Sequence, residues 1–209
     1  MPDPSSTSET LLALGAATLG ESGAHRMRSR VSAAWAGARL AAPAFTARCT
    51  PGDNLAIHVA LTRAPRDSAL VVDVGAEREF GYWGEVLTTM AEARGVAGLV
   101  IDGGVRDLDA LEAHAFPVFS AGVELRGASK KSPGEIGVTA EAGDVQVQTG
   151  DWIVADADGV VVVPADDLDD VLVAGHARAE KERRLFEQLR AGATTIDLLG
   201  LDPSPITGP

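Results

Sequence analysis

The chain has 209 residues, 45% hydrophobic but only 4% aromatic, with a formal net charge of −12. That length suits one domain with a core of Ala, Val and Leu that needs neither disulfides nor a structural metal. The acidic balance argues against nucleic acid as a partner, since no excess of cations is available to displace counterions from a phosphate backbone.

The opening "MPDPSSTS" is polar and reads as a mobile tail over residues 1–9, ahead of a single domain over 10–209. Thr10 to Gly20 follows as a short helix with Leu11, Leu12, Leu14 and Leu19 as its apolar positions. No positively charged segment precedes it, so it does not read as a signal peptide. Nor does any apolar run approach the ~18 residues of a membrane span. Residues 38–49 are strand-like around Pro43 and end at Cys49, the sole cysteine. A lone cysteine allows no internal disulfide and makes a reducing cytoplasm the expected setting; it reads as a small buried residue rather than a nucleophile.

"TPGDN" supplies a turn, and Leu55 to Leu61 a helical pattern. "ALVVDV" (69–74) is a continuous apolar run expected of a strand buried on both faces. Leu87, Met90, Ala91 and Arg94 fall at i, i+3, i+4 and i+7 of a helix that Gly95 ends. "GLVID" (98–102) is a second buried strand, Leu108, Leu111 and Ala115 mark a second helix, and "PVFS" (117–120) a third strand. This β-α-β-α-β order predicts a parallel sheet.

The last third differs. No Lys or Arg occurs from Ser132 to Ala177, where ten Asp and Glu do. "VQVQ" (145–148) alternates, "TGD" turns, "WIVAD" (152–156) follows, and Asp158-Gly159 turns the chain into "VVVVP", which is antiparallel hairpin chemistry. A long charged helix runs from about Asp166 to Arg190 and stops at Gly192.

One β-α unit is roughly twenty residues long. That spacing separates Gly84-Glu85 from Arg106-Asp107, so both pairs belong at the carboxyl edge of the sheet, where open α/β sheets bind ligands. The first-turn N–H groups of residues 84–87 can hold a small carboxylate or phosphate. Arg106 offers a permanently charged fork for a carbonyl or carboxylate oxygen. Asp107 can bind a hard cation, Mg²⁺ or Mn²⁺ rather than Zn²⁺, given the absence of any His or Cys cluster in the sequence. Structural roles stand beside these: Asp107 as cap of the helix from 108, Arg106 as a surface ion-pair partner, Glu85 as a residue favoured by the helix dipole, and the glycines as turn formers. Asp102 reads as a turn former or a support for the site, Trp83 as pocket wall or core. His25, His58, His114 and His176 are scattered and read as structural or surface residues.

"PGDNLAIHVAL", "WGEVLTTMAEARGVAGLVIDGGVRD", "FPVF" and "GDWIVADADGVVVVP", taken in this order, resemble the 4-hydroxy-4-methyl-2-oxoglutarate / 4-carboxy-4-hydroxy-2-oxoadipate aldolase family, which includes the regulator of ribonuclease activity A (RraA-like). The likeness runs from about Ala16 to Leu199. It implies an α/β fold, a swivelling β/β/α-type domain with a parallel β-α-β-α-β core, an antiparallel hairpin segment and a long C-terminal helix. It also implies a homo-oligomer, trimer or hexamer, with sites between subunits.

The implied activity is that of a class II, divalent-metal-dependent lyase that cleaves a C–C bond in 2-oxo acids to give pyruvate, by retro-aldol cleavage or oxaloacetate decarboxylation. The N–H groups of Gly84, Glu85, Val86 and Leu87 would bind the pyruvate carboxylate. Arg106 would stabilise the enolate, and Asp107 would hold Mg²⁺ or Mn²⁺. Glu85 would lie near a metal-bound water, where the aldolases usually carry Asp. Glu21 and Glu182 would reach the metal's water shell from a neighbouring subunit, with a solvated helix face among "EKERR" as the alternative reading of Glu182. The regulator branch implies an alternative, a non-catalytic protein-binding role. That branch lacks the acid at position 85, so Glu85 favours the enzyme.

Overall fold

A computed structural model describes residues 4–208. In chain order the elements are α1 (Pro4–Gly20), β1 (His25–Arg26), β2 (Ser32–Ala33), β3 (Leu40–Arg48), α2 (Leu55–Arg63), β4 (Ala69–Asp73), β5 (Gly81–Trp83), α3 (Glu85–Arg94), β6 (Gly98–Val105) and α4 (Leu108–Ala113). Then come β7 (Val118–Val123), β8 (Glu135–Ile136), β9 (Ala140–Ala142), β10 (Val145–Val147), β11 (Trp152–Asp156), β12 (Gly159–Val163), a 3₁₀ turn (Ala165–Asp167), α5 (Leu168–Arg190) and α6 (Thr195–Leu199).

The expected parallel core is present: β3 pairs with β4, β4 with β6, and β6 with both β5 and β7, all parallel. Strand β3 joins this core to the antiparallel part. Its first residues, Leu40–Pro43, pair with β11, and its last, Ala44–Arg48, with β4 on the other side. The resulting order is β1-β12-β11-β3-β4-β6-β7-β2, with β8 beside the end of β3.

Alternation along the strands sends side chains to two separate cores. Leu70, Val72, Leu99 and Ile101 face α2, α3 and α4 and pack with Ile57, Leu61, Leu87, Ala91 and Leu111. Ala69, Val71 and Val100 point the other way, to Leu40, Phe119, Ile153 and Val162. A third cluster seats α1 and α5 on the outer face of β11 and β12 through Leu11, Leu19, Trp152, Val154, Val163 and Val171. Among the described residues no helix is long and apolar enough to cross a membrane.

Three expectations need correction. Residues 4–9 are helical where a mobile tail was expected: α1 begins at Pro4, a residue favoured in a first helical turn, and Thr7 is buried one turn ahead of Leu11. Residues 1–3 lie outside the described chain. Gly15 then leaves helical geometry at φ 77, ψ 163, and the second half of α1 restarts under the Asp156 carboxylate, which accepts the Ala16 N–H at 2.8 Å. Lastly, β10 pairs with β9 across the Gly143-Asp144 turn instead of preceding β11 in a hairpin; the β11–β12 hairpin is as expected. The helix expected from about Asp166 opens as the 3₁₀ turn and becomes α5 at Leu168. Only Val171 and Gly175 of α5 are buried, and none of its residues beyond Gly175 is.

Candidate active site at the carboxyl edge

The two segments one β-α unit apart do meet. Strand β5 delivers Gly84 to the start of α3, and β6 delivers Arg106 and Asp107 to the start of α4. Asp107 stands in left-handed backbone geometry, φ 61 and ψ 40, which Asp tolerates better than most residues. Its side chain makes no cap on its own helix. Instead Oδ2 accepts the Glu85 N–H at 3.0 Å, so Asp107 caps the neighbouring helix α3. The Arg106 Nε lies 3.8 Å from the same oxygen. A side chain at Gly84 would collide with Asp107 Oδ2, so this close approach requires glycine.

Of the four N–H groups expected to face a ligand, Glu85 is thus engaged by Asp107 and Leu87 bonds back to the Gly84 carbonyl. Gly84 and Val86 are the first-turn donors that make no hydrogen bond among the described residues. Gly84, Val86, Leu87, Arg106 and Asp107 line one cavity of about 190 Å³, below the ~300–1,000 Å³ of drug-sized sites. The Glu85 side chain is not in its wall. It points to the α4 side, with Oε1 3.8 Å from His114 Nε2, while His114 Nδ1 sits 2.8 Å from Glu92.

The opposite wall holds Asn54 and Lys130, which the sequence reading passed over, and His58, which it took for a structural or surface residue; Asn54 and His58 come from the start of α2 and Lys130 from the loop after β7. Asn54 is 4% exposed. Its Nδ2 donates to the Tyr82 carbonyl at 2.7 Å, while Oδ1 has no partner. His58 Nε2 is likewise buried and unpaired. Burial and the Lys130 charge push the His58 imidazole below its ordinary pKa, which favours the neutral form. The only sequence signal was the i, i+4 spacing of Asn54 and His58 at a helix start, which puts both on one face.

Two buried carboxylates support the cavity. Asp53 accepts N–H groups of Leu55, Lys131 and Ser132, which fastens the Lys130 loop beside α2. Burial alone would raise its pKa, but the three backbone donors prevail and hold it at about 2. Asp102 is no turn former: from β6 it pairs with Arg30 and Arg78 and accepts the Gly143 N–H. There too the donors outweigh burial, and the carboxyl sits at about 2. The Arg78 carbonyl in turn accepts the Gly104 N–H, two residues before Arg106.

Trp83 serves both readings: it is a core residue, stacked on Phe116 with its indole N–H on Thr88, and it lines the cavity. Cys49 is a buried thiol pushed up to about 12, chiefly by desolvation, and so is inert. Glu21 and Glu182 lie elsewhere in the chain, both paired with Arg178 where α1 meets α5. The residues that are brought together, Arg106, Lys130, Asp107 and the α3 start, make a small site with net positive charge, fit for a small anion.

Comparison with known proteins gives the family of the chain. Residues 15–162 match the model of the RraA-like family, described as Aldolase/RraA. A protein of Halalkalibacterium halodurans, provisionally named a 4-hydroxy-4-methyl-2-oxoglutarate aldolase, is 33% identical over 78% of this chain and 75% of its own. The crystal structure of an uncharacterized protein from Pseudomonas syringae superposes with a TM-score of 0.82 at 28% identity, covering 93% of this chain and 92% of that one. Streptomyces coelicolor RraAS2, described as an unusual member of the RNase ES inhibitor RraA family, superposes at 0.74 with 25% identity, covering 92% and 98%. On the match of its family model over most of its length, this chain belongs to the RraA-like (Aldolase/RraA) family.

Proposed function

We propose that the chain is a divalent-metal-dependent lyase that cleaves a C–C bond in small 2-oxo acids and releases pyruvate. The observation that carries this reading is the convergence of Gly84, Arg106 and Asp107 on one small cavity. The α3 start and the Arg106 fork receive the carboxylate and keto oxygen of the pyruvyl unit. When the C–C bond breaks, negative charge develops on that keto oxygen, and Arg106 is placed to stabilise it in a site partly shielded from water. Retro-aldol cleavage and oxaloacetate decarboxylation share this enolate, and both belong to the proposal.

Among the described residues no cluster of three acids, histidines or cysteines could hold a metal ion. Asp107 is the one carboxylate in the cavity wall, and its donors are hard oxygens. That set suits Mg²⁺ or Mn²⁺, which bind through one or two carboxylates and keep most of their water. Bound there, the ion would supply Lewis-acid stabilisation of the same oxygen. Glu85 serves through its backbone N–H, which fixes the Asp107 carboxylate.

Glu21 and Glu182 touch Asp107 nowhere in one chain, so the proposal places them across a subunit boundary in a homo-oligomer, trimer or hexamer. The exposed apolar residues of the C-terminal arm, Phe186, Ile196, Leu199 and Leu201, are in keeping with such contacts.

The test couples pyruvate release to lactate dehydrogenase, using oxaloacetate and 4-hydroxy-4-methyl-2-oxoglutarate with and without Mg²⁺ or Mn²⁺. Metal-dependent pyruvate, lost in Arg106→Ala and Asp107→Ala, is expected. No pyruvate from either substrate would overturn the enzyme and favour the non-catalytic regulator, the reading closer to the RraAS2 likeness.

A further inference from the structure

Two polar atoms in the cavity wall remain without partners, Asn54 Oδ1 and His58 Nε2. The Asn54 amide cannot be turned to hide its oxygen, because Nδ2 is held by the Tyr82 carbonyl and the reverse orientation would set acceptor against acceptor. Oδ1 is therefore a fixed acceptor. With the ring proton assigned to Nδ1, His58 Nε2 is a second acceptor one helical turn away. Buried acceptors left unpaired are costly, and a ligand that brings a donor relieves them. A carboxylate or a ketone brings none; a hydroxyl does.

We propose that His58 is a catalytic residue, the acceptor of the substrate's hydroxyl proton in aldol cleavage, with Asn54 orienting that hydroxyl. This rests on the lyase reading above and adds to it the route of the proton. Nε2 takes the O–H proton, and the electrons of that bond form the new carbonyl. The C–C bond breaks, and its electron pair becomes the pyruvyl enolate facing Arg106. The enolate carbon then takes a proton from water, and the imidazole returns its own to water. Atoms and charge balance without any co-reactant. His58 stands where Glu85 does not: the Glu85 carboxylate lies outside the cavity wall, beside His114.

Decarboxylation supplies the discriminating measurement, because loss of CO₂ from oxaloacetate requires no hydroxyl proton. The full chain with Mn²⁺ is assayed on 4-hydroxy-4-methyl-2-oxoglutarate and on oxaloacetate, as wild type, His58→Gln and Arg106→Ala. In His58→Gln, aldol cleavage should fall by ~10²–10⁴, the usual contribution of a general base, and its ratio to decarboxylation by the same factor. Arg106→Ala should lower both rates together. Pyruvate binding, followed by tryptophan fluorescence, reports whether the variant pocket is intact, and His58→Asn repeats the test if the glutamine variant does not fold. An unchanged ratio in a folded variant overturns the role of His58 while leaving the lyase reading in place. No pyruvate from either substrate with wild type overturns both.

Discussion

The two acidic regions of this protein are held by opposite means. At the α3–α4 edge Asp107 is fixed by a backbone N–H and an unusual backbone conformation, behind strands that are wholly buried. At the α1–α5 edge Glu21 and Glu182 are held only by Arg178, with side chains one-third to one-half exposed. The first arrangement cannot change without moving the fold. The second can exchange partners at small cost, since exposed ion pairs contribute ~0–1 kcal/mol. A site that joins both, as proposed, would take its geometry from the first region and its assembly from the second.

The contrast predicts very different sensitivities. The largest effect is expected for Arg106→Ala, which should lower kcat by about 10²–10³ or more in the coupled pyruvate assay, for loss of a charge aimed at the developing oxyanion. Stability should barely change, because the Arg106 side chain is 44% exposed and its pairing with Asp107 is long at 3.8 Å. A large drop in Tm without loss of kcat would reverse the assignment of this edge from chemistry to structure.

Asp102→Ala should show the converse. It leaves Arg30 and Arg78 facing each other across a vacated buried position. The cost is expected at about 2–4 kcal/mol, somewhat below the ~3–5 kcal/mol of a fully buried pair, since both arginines are partly exposed. For a chain of this size each kcal/mol shifts Tm by ~2–4 °C. Calorimetry that finds no shift would show that the cluster does not secure the β6 edge.

Acid should act on the same region. Asp53 and Asp102 both titrate at about 2 in the folded protein, below the ordinary 3.8. A carboxyl whose folded pKa is depressed stabilises the fold above its unfolded value and loses that contribution as pH falls through the folded one. Each should contribute roughly 2 kcal/mol at neutral pH, lost between about pH 4 and 2. Urea midpoints followed down this window should fall in wild type and fall less steeply in Asp102→Ala.

Much of the first region was legible in the sequence, and little of the second. The Gly84-to-Arg106 relation could be read because the length of a β-α unit fixes which residues share a sheet edge, whatever the details of packing. The cap made by Asp107 could not be divided between helices in that way: both α3 and α4 begin beside it, and only the left-handed backbone at 107 turns the carboxylate to α3. Asn54 escaped notice and His58 was set aside as structural or surface for a related reason, since a polar atom is an orphan only by virtue of what surrounds it in space. The start of α1 was obscured because its inward positions before Leu11 include Thr7, which gives no apolar signal. The β9–β10 pairing was missed because alternation reveals a strand and its faces but not its partner.

Arg178→Ala is the smallest expected effect and the sharpest probe of the comparison. In one chain it removes ion pairs to Glu21 and Glu182, the latter at i+4, and should cost less than ~1 kcal/mol. If the two acids serve only α1–α5 packing, nothing else changes. If they also meet Asp107 across a subunit boundary, removing the arginine leaves two carboxylates free to turn outward and alters the electrostatics of a cation site. Mn²⁺ titration followed by electron paramagnetic resonance should then show affinity changed several-fold, with Tm nearly unmoved. The same titration on Glu182→Gln should weaken binding. Unaltered Mn²⁺ affinity in both variants would confine the site to the α3–α4 edge of a single chain and leave Asp107 as its only protein carboxylate.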